Sequence, residues 1–146
     1  MNAYTVLKDK QQKEVNEFPM FFAFSNEQFN EGMAKFGLKP EDTDKIYSLS
    51  GTGGFYKRTD SEKLKEMMNR HEKERQEAIE GDETGDGYIF DMFNYELGNH
   101  EFVITYDVED TLDALCLTID EVNASEKLKH GLNKAIKSQK EWYENN

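Results

Sequence analysis

The sequence predicts an α+β fold, a single compact and mostly helical domain carrying a small antiparallel sheet or hairpin. Three observations point there. Ser25/Gln28, Thr59/Glu62 and Thr118/Glu121 each have the Ser/Thr-x-x-Glu/Gln spacing of a helix-capping box. Two β-prone runs flank the tetrapeptide Gly51-Thr52-Gly53-Gly54. Ten Phe, seven Tyr and one Trp recur through a chain that is 33% charged, and a disordered chain of that charge would usually lack them.

The elements follow in order. Residues 1–17 are polar and Lys-rich with Val6, Leu7 and Val15 sparsely placed, which suits an N-terminal arm or helix. Residues 18–142 form the globular body and 143–146 a polar tail. Phe18-Pro19-Met20-Phe21-Phe22-Ala23-Phe24 is too short for a helix of its own and reads as a buried strand or an extended core segment whose aromatics pack in the core. Ser25 caps a helix near 25–36 with Phe29, Met33 and Phe36 on one face, Gly37 at its end and Pro40 barring continuation. Ile46–Ser50 and Phe55–Arg58 form the hairpin, its glycines supplying the turn. A phosphate-binding loop would need Lys and Ser/Thr after a second Gly and then a helix start, and Lys57 instead follows Tyr56 inside a strand-like run.

Thr59 opens a helix near 60–80 with Leu64, Met67, Met68 and Ile79 as its apolar stripe. A polar loop, Asp82–Gly87, precedes a helix near 88–98, in which Tyr88, Ile89, Met92, Phe93, Tyr95, Glu96 and Leu97 have helical periodicity and Gly98-Asn99 is the stop. Phe102–Tyr106 is β-prone but could continue a helical segment. Asp107–Leu117 suits a short helix burying Val108, Leu112 and Leu115. Ser125 then caps a helix near 125–142 through Leu128, Leu132, Ile136 and Trp142.

At 146 residues the chain is long enough to bury a core without staples. Its net charge of −12 is unevenly spread. From Gln76 to Glu126 there are 15 acids and no Lys or Arg, while the remaining residues are slightly basic. Such asymmetry speaks to partners and solubility. Direct nucleic-acid binding is not expected, because phosphates are neutralised by clustered Lys and Arg. A basic protein surface is the better complement. No run approaches the roughly 18 apolar residues of a membrane span, and no basic-then-apolar leader opens the chain, so neither membrane insertion nor secretion is expected. With one cysteine, Cys116, an internal disulfide framework is excluded and a reducing, cytoplasmic compartment is the expectation.

No constellation calls for a metal or cofactor, or for catalysis. His71-Glu72 and His100-Glu101 both lack the second histidine of a zinc-protease helix. The loop from Asp82 meets five demands of a calcium-binding loop but has Phe93 where a bidentate Glu belongs. Cys116 lies between Leu115 and Leu117, as a buried, inert thiol would. The acids in turns and at helix starts, Asp82, Glu83, Asp86, Asp107, Glu109, Asp110 and Asp113, are the candidate partner-binding residues. Charge reversal at Asp82, Glu83 and Asp86 should be tolerated by a polar loop.

Glu17–Ser25, Asp42–Tyr47, Gly53-Gly54-Phe55, Tyr95-Glu96-Leu97, Asn99-His100-Glu101 and Asp110–Leu115 together resemble a functionally uncharacterised family of small acidic cargo proteins. That family is associated with phages, plasmids and conjugative elements of Gram-positive bacteria. Many small acidic proteins on such elements look like inhibitors of host defence, anti-CRISPR proteins among them. The resemblance therefore implies a non-enzymatic inhibitor, a nucleic-acid mimic occupying the basic channel of a bacterial defence nuclease, an RNA-guided nuclease being the example. Two alternatives stand beside it: a small metal-dependent or acid–base enzyme centred on His100, and a regulatory adaptor of the mobile element.

Overall fold

The computed structural model describes residues 2–146. The fold is α+β and mostly helical: eight α-helices, two 3-10 turns and one three-stranded antiparallel sheet among the described residues. The contacts of the described residues gather into two compact units, one of residues 13–72 and one of residues 2–12 with 73–146.

The smaller unit carries the sheet. Strand β1 (Met20–Phe22), β2 (Ile46–Leu49) and β3 (Gly54–Lys57) lie in the order β1-β3-β2, all antiparallel. Phe21 pairs with Phe55 and Phe55 with Ser48, so Phe21, Phe55 and Ile46 share the inner face. There they meet Met33, Phe29 and Phe36 from helix α2 (Asn26–Lys35). The rings of Phe21 and Phe55 stack at 5.3 Å, and Phe29 meets both edge-on. The hairpin is as expected, with Gly51 and Gly53 both left-handed in the turn. So is the capped start of α2, where the Ser25 side chain accepts from the Gln28 N–H; the Gln28 side chain returns to the Phe24 N–H. At its other end the N–H of Gly37 donates to Ala34 and that of Leu38 to Met33, a Schellman closure.

Two expectations fail in this unit. The run Phe18–Phe24 yields only a three-residue strand, and of its aromatics Phe21 is buried while Phe22 and Phe24 are exposed. Alternation in a strand sends Phe22 to the face opposite Phe21, and continuous apolarity does not show that only one face is covered. Thr59 does not cap the following helix from outside. It lies within a 3-10 turn, Arg58–Asp60, and α3 (Ser61–Gly81) begins one residue later than the capping-box spacing suggests.

In the larger unit α4 (Tyr88–Asn99) packs on α8 (Glu126–Glu144). Ile89, Met92, Phe93 and Leu97 repeat at helical spacing and are buried, against Leu128, Leu132 and Ala135 of α8. Gly131 permits the close approach: a Cβ there would fall 2.4 Å from Ile89 Cγ2 and 2.9 Å from the Gly85 carbonyl oxygen. The first part of α1 (Ala3–Glu17) joins this core through Tyr4, whose ring lies 5.7 Å from Tyr88 and 5.6 Å from Tyr95. Burial pushes the Tyr88 hydroxyl up to about 12. The last turn of α3 is closed by Lys127, whose ammonium donates to the carbonyls of Ile79 and Glu80.

Between α4 and α8 come three short helices, α5 (Phe102–Thr105), α6 (Glu109–Ala114) and α7 (Ile119–Ala124). The β-prone run at Phe102 is helical here, anchored by the buried Phe102. Thr118 and Glu121 make the full reciprocal capping box, and Ser125 caps α8 by accepting from the Leu128 N–H. Cys116 corrects the expected buried thiol. It has φ of 57° and is exposed, because the chain reverses at this residue while Leu115 and Leu117 turn inward.

Candidate protein-binding surface

The seven sequence-predicted acids divide into two groups by what their carboxylates already do. Asp82 is half-buried and spoken for. Its Oδ1 accepts from the Gly85 N–H at 2.9 Å, and its Oδ2 accepts from Gly87 and Ile89 at 3.0 Å each. Burial works to raise its pKa, but these backbone donors outweigh it and hold the carboxyl below the ordinary aspartate range. Asp82 thus closes the loop and satisfies orphan N–H groups at the start of α4, the task of a cap. The expectation that this loop tolerates charge reversal is overturned at Asp82 for that reason. Asp86 is exposed but neutralised in place: His130 Nε2 lies 2.8 Å and Lys134 Nζ 2.9 Å from its Oδ1. Hydrogen bonds from Lys134 and His130 lower its pKa. Glu83 is exposed between them.

Asp107, Glu109, Asp110 and Asp113 are different. All four are exposed, at the start and along the length of α6. Asp107 uses one oxygen to accept from the Glu109 N–H at 2.9 Å, which starts the helix. Glu109 and Asp110 complement the helix dipole in its first turn. They belong to a longer acidic stretch. From Glu101 to Glu126 there are eight exposed acids and no base, and among the described residues none of the eight forms an ion pair.

The same segment exposes apolar groups that composition alone does not single out. Ile104 is 69% exposed, Tyr106 64% and Ile119 47%. Its backbone is also unusual, since all three left-handed non-glycine residues among those described, Glu101, Tyr106 and Cys116, lie in it. Such conformations are sparsely populated away from glycine and gather at functional sites. The available signal in the sequence was Phe102–Tyr106 itself, an apolar run with no partner strand for its second face.

His100 sits at the end of α4. Its Nε2 lies 3.6 Å from Glu96 Oε2, and Lys8 Nζ lies 3.7 Å from Glu96 Oε1. Glu96 is 3% exposed, at a core position between Met92, Phe93 and Leu97. Burial and the charge of Glu96 hold the Tyr4 hydroxyl above its ordinary range. Glu96 and His100 have the donor chemistry to share a metal ion, as Asp86 and His130 do, but a two-residue set is less than structural zinc normally uses. The two loop acids at calcium-loop spacing do not converge on a common point: Asp82 faces backbone N–H groups and Asp86 faces α8.

Fold and surface together define a small, acidic, mostly helical α+β protein with one stretch of uncompensated negative charge. The chain belongs to a family of unknown function, DUF7659, whose model matches residues 3–138. No curated protein and no solved structure matches it. No helix among the described residues is long and apolar enough to cross a membrane.

Proposed function

We propose that the protein is a non-enzymatic binding protein that docks the segment 101–126 on a basic surface of a partner protein. One observation carries the reading: eight exposed acids without an ion-pair partner among the described residues, interspersed with exposed Ile104, Tyr106 and Ile119, on and between three short helices and at the start of α8. Charge of one sign steers encounter and selects the partner, while exposed aromatic and aliphatic groups supply contact area. The narrower form of the proposal is an inhibitor carried by a mobile element that occupies the nucleic-acid channel of a bacterial defence nuclease in the cytoplasm. It is supported by the sequence resemblance and by the match between clustered carboxylates and a channel built for phosphates.

The test is binding to a set of RNA-guided nucleases, with a guide-bearing duplex as competitor. Binding should weaken by about tenfold or more between roughly 50 and 300 mM salt, as expected for opposite charges screened over about 8 Å at physiological ionic strength. The triple variant Glu109→Gln, Asp110→Asn, Asp113→Asn should bind at least about tenfold more weakly with its melting temperature nearly unchanged. Affinity within about twofold of the parent would refute the surface assignment.

A second reading has its own observation, the buried Glu96 carboxylate beside His100. A metal-dependent or acid–base enzyme centred on His100 requires turnover that His100→Ala abolishes, whereas the inhibitor acts stoichiometrically and is indifferent to that change.

A further inference from the structure

We infer that the smaller unit holds a binding site for a small anion with a flat apolar body, in the groove between the ends of β2 and β3 and the segment following α2. This inference is independent of the acidic surface and of the function proposed from it. The groove has a volume of about 490 Å³ and lies over Phe36 and Leu38, with Lys45, Lys57 and Arg58 on its rim and Asp44 as the one acid. That volume falls within the range of small-molecule sites, which are mostly apolar with a few placed polar groups.

The cations are what make it a site rather than a crease. Lys57 ends β3 on the same face as Phe55, and its ammonium stands 5.3 Å from the centre of the Phe36 ring. The Arg58 guanidinium lies 4.6 Å over the ring of Tyr47 on β2. Among the described residues, neither Lys57 nor Arg58 forms an ion pair with a carboxylate; both are held by aromatic faces. Lys45 pairs with Asp42 at 3.9 Å. A chain of net charge −12 therefore keeps two adjacent cations unneutralised on the rim of an apolar groove. An anionic head meets the Lys57 ammonium through charge-assisted hydrogen bonds, Arg58 and Lys45 add positive charge at the rim, and the apolar body lies on Phe36 and Leu38. A long polyanion is disfavoured, because three cations neutralise few phosphates against the overall negative charge. Nucleoside monophosphates and aryl carboxylates share the required chemistry.

The probe is 8-anilinonaphthalene-1-sulfonate, an aromatic anion whose emission reports binding. Its titration should saturate at one site per chain, and Lys57→Glu with Arg58→Glu should weaken it by about tenfold or more. Displacement by adenosine monophosphate assigns a phosphate ligand, and displacement by 2-naphthoate alone a carboxylate. Displacement by neutral 2-naphthol as effective as by either anion overturns the proposal, as does failure of both anions to displace the probe. Amide-shift mapping on the unsubstituted protein removes dependence on the variant folding: shifts centred on Phe36, Leu38, Lys57 and Arg58 support the site, and shifts centred on residues 101–126 overturn it.

Discussion

Asp82 shows how one side chain can look like surface in the sequence and act as structure in the fold. Its two oxygens take three backbone N–H groups, so Asp82→Ala should cost about 1–2 kcal/mol, the worth of a strong cap. The melting temperature should fall by several degrees, about 2–8 °C. The sign of the pH dependence follows from the lowered pKa. A carboxyl depressed in the folded state stabilises above its unfolded pKa, about 3.9, and loses that contribution as pH falls through the folded value. The gap between parent and variant should therefore be full at neutral pH and close on acidification below about pH 4, when followed by thermal melts across pH. Glu14 shows the same direction more strongly, its carboxyl held at about 2 chiefly by the hydrogen bond from Arg70, yet on the surface it is screened and carries little stability.

At the scale of elements, Gly131 decides how closely α8 approaches α4. Gly131→Ala should destabilise by about 1–3 kcal/mol through overpacking against Ile89 and the Gly85 carbonyl. Shortening Ile89 to Val in the same chain should recover part of the loss, and a double-mutant cycle by urea unfolding measures the coupling. Elements of this kind were the most legible in the sequence. Ser25, Thr118 and Ser125 announced helix starts because capping is local chemistry, and the glycine tetrapeptide announced its hairpin for the same reason. Thr59 misled because the spacing of a capping box also accommodates a 3-10 turn. Phe22, Phe24 and Cys116 misled because burial depends on what covers a face, which neighbours in sequence do not report. Of the candidate surface, the acidic block was legible as composition. Which acids are engaged was not, since Asp86 meets His130 and Lys134 from 44 and 48 residues away.

For the whole molecule, net charge −12 with a pI near 4.7 sets a general response to salt. The eight acids from Glu101 to Glu126, none in an ion pair among the described residues, repel one another, and self-repulsion opposes the compact state. Raising sodium chloride from about 10 to 200 mM shortens the screening length from about 30 Å to under 10 Å and should raise the melting temperature. The triple variant of α6 should show a smaller rise, because fewer repelling charges remain to be screened. A melting temperature that falls with salt would mean that attractive pairs such as Asp86 with Lys134 dominate instead.

The left-handed turn at Cys116 also equips the molecule as its own reporter. One thiol in the chain, facing outward three residues beyond Asp113, accepts a single dye without any engineered cysteine. A maleimide fluorophore should react stoichiometrically in native buffer, with no added reactivity on unfolding, as mass spectrometry would register. A label there reads the proposed docking surface from within, as quenching or a lifetime change when a partner arrives.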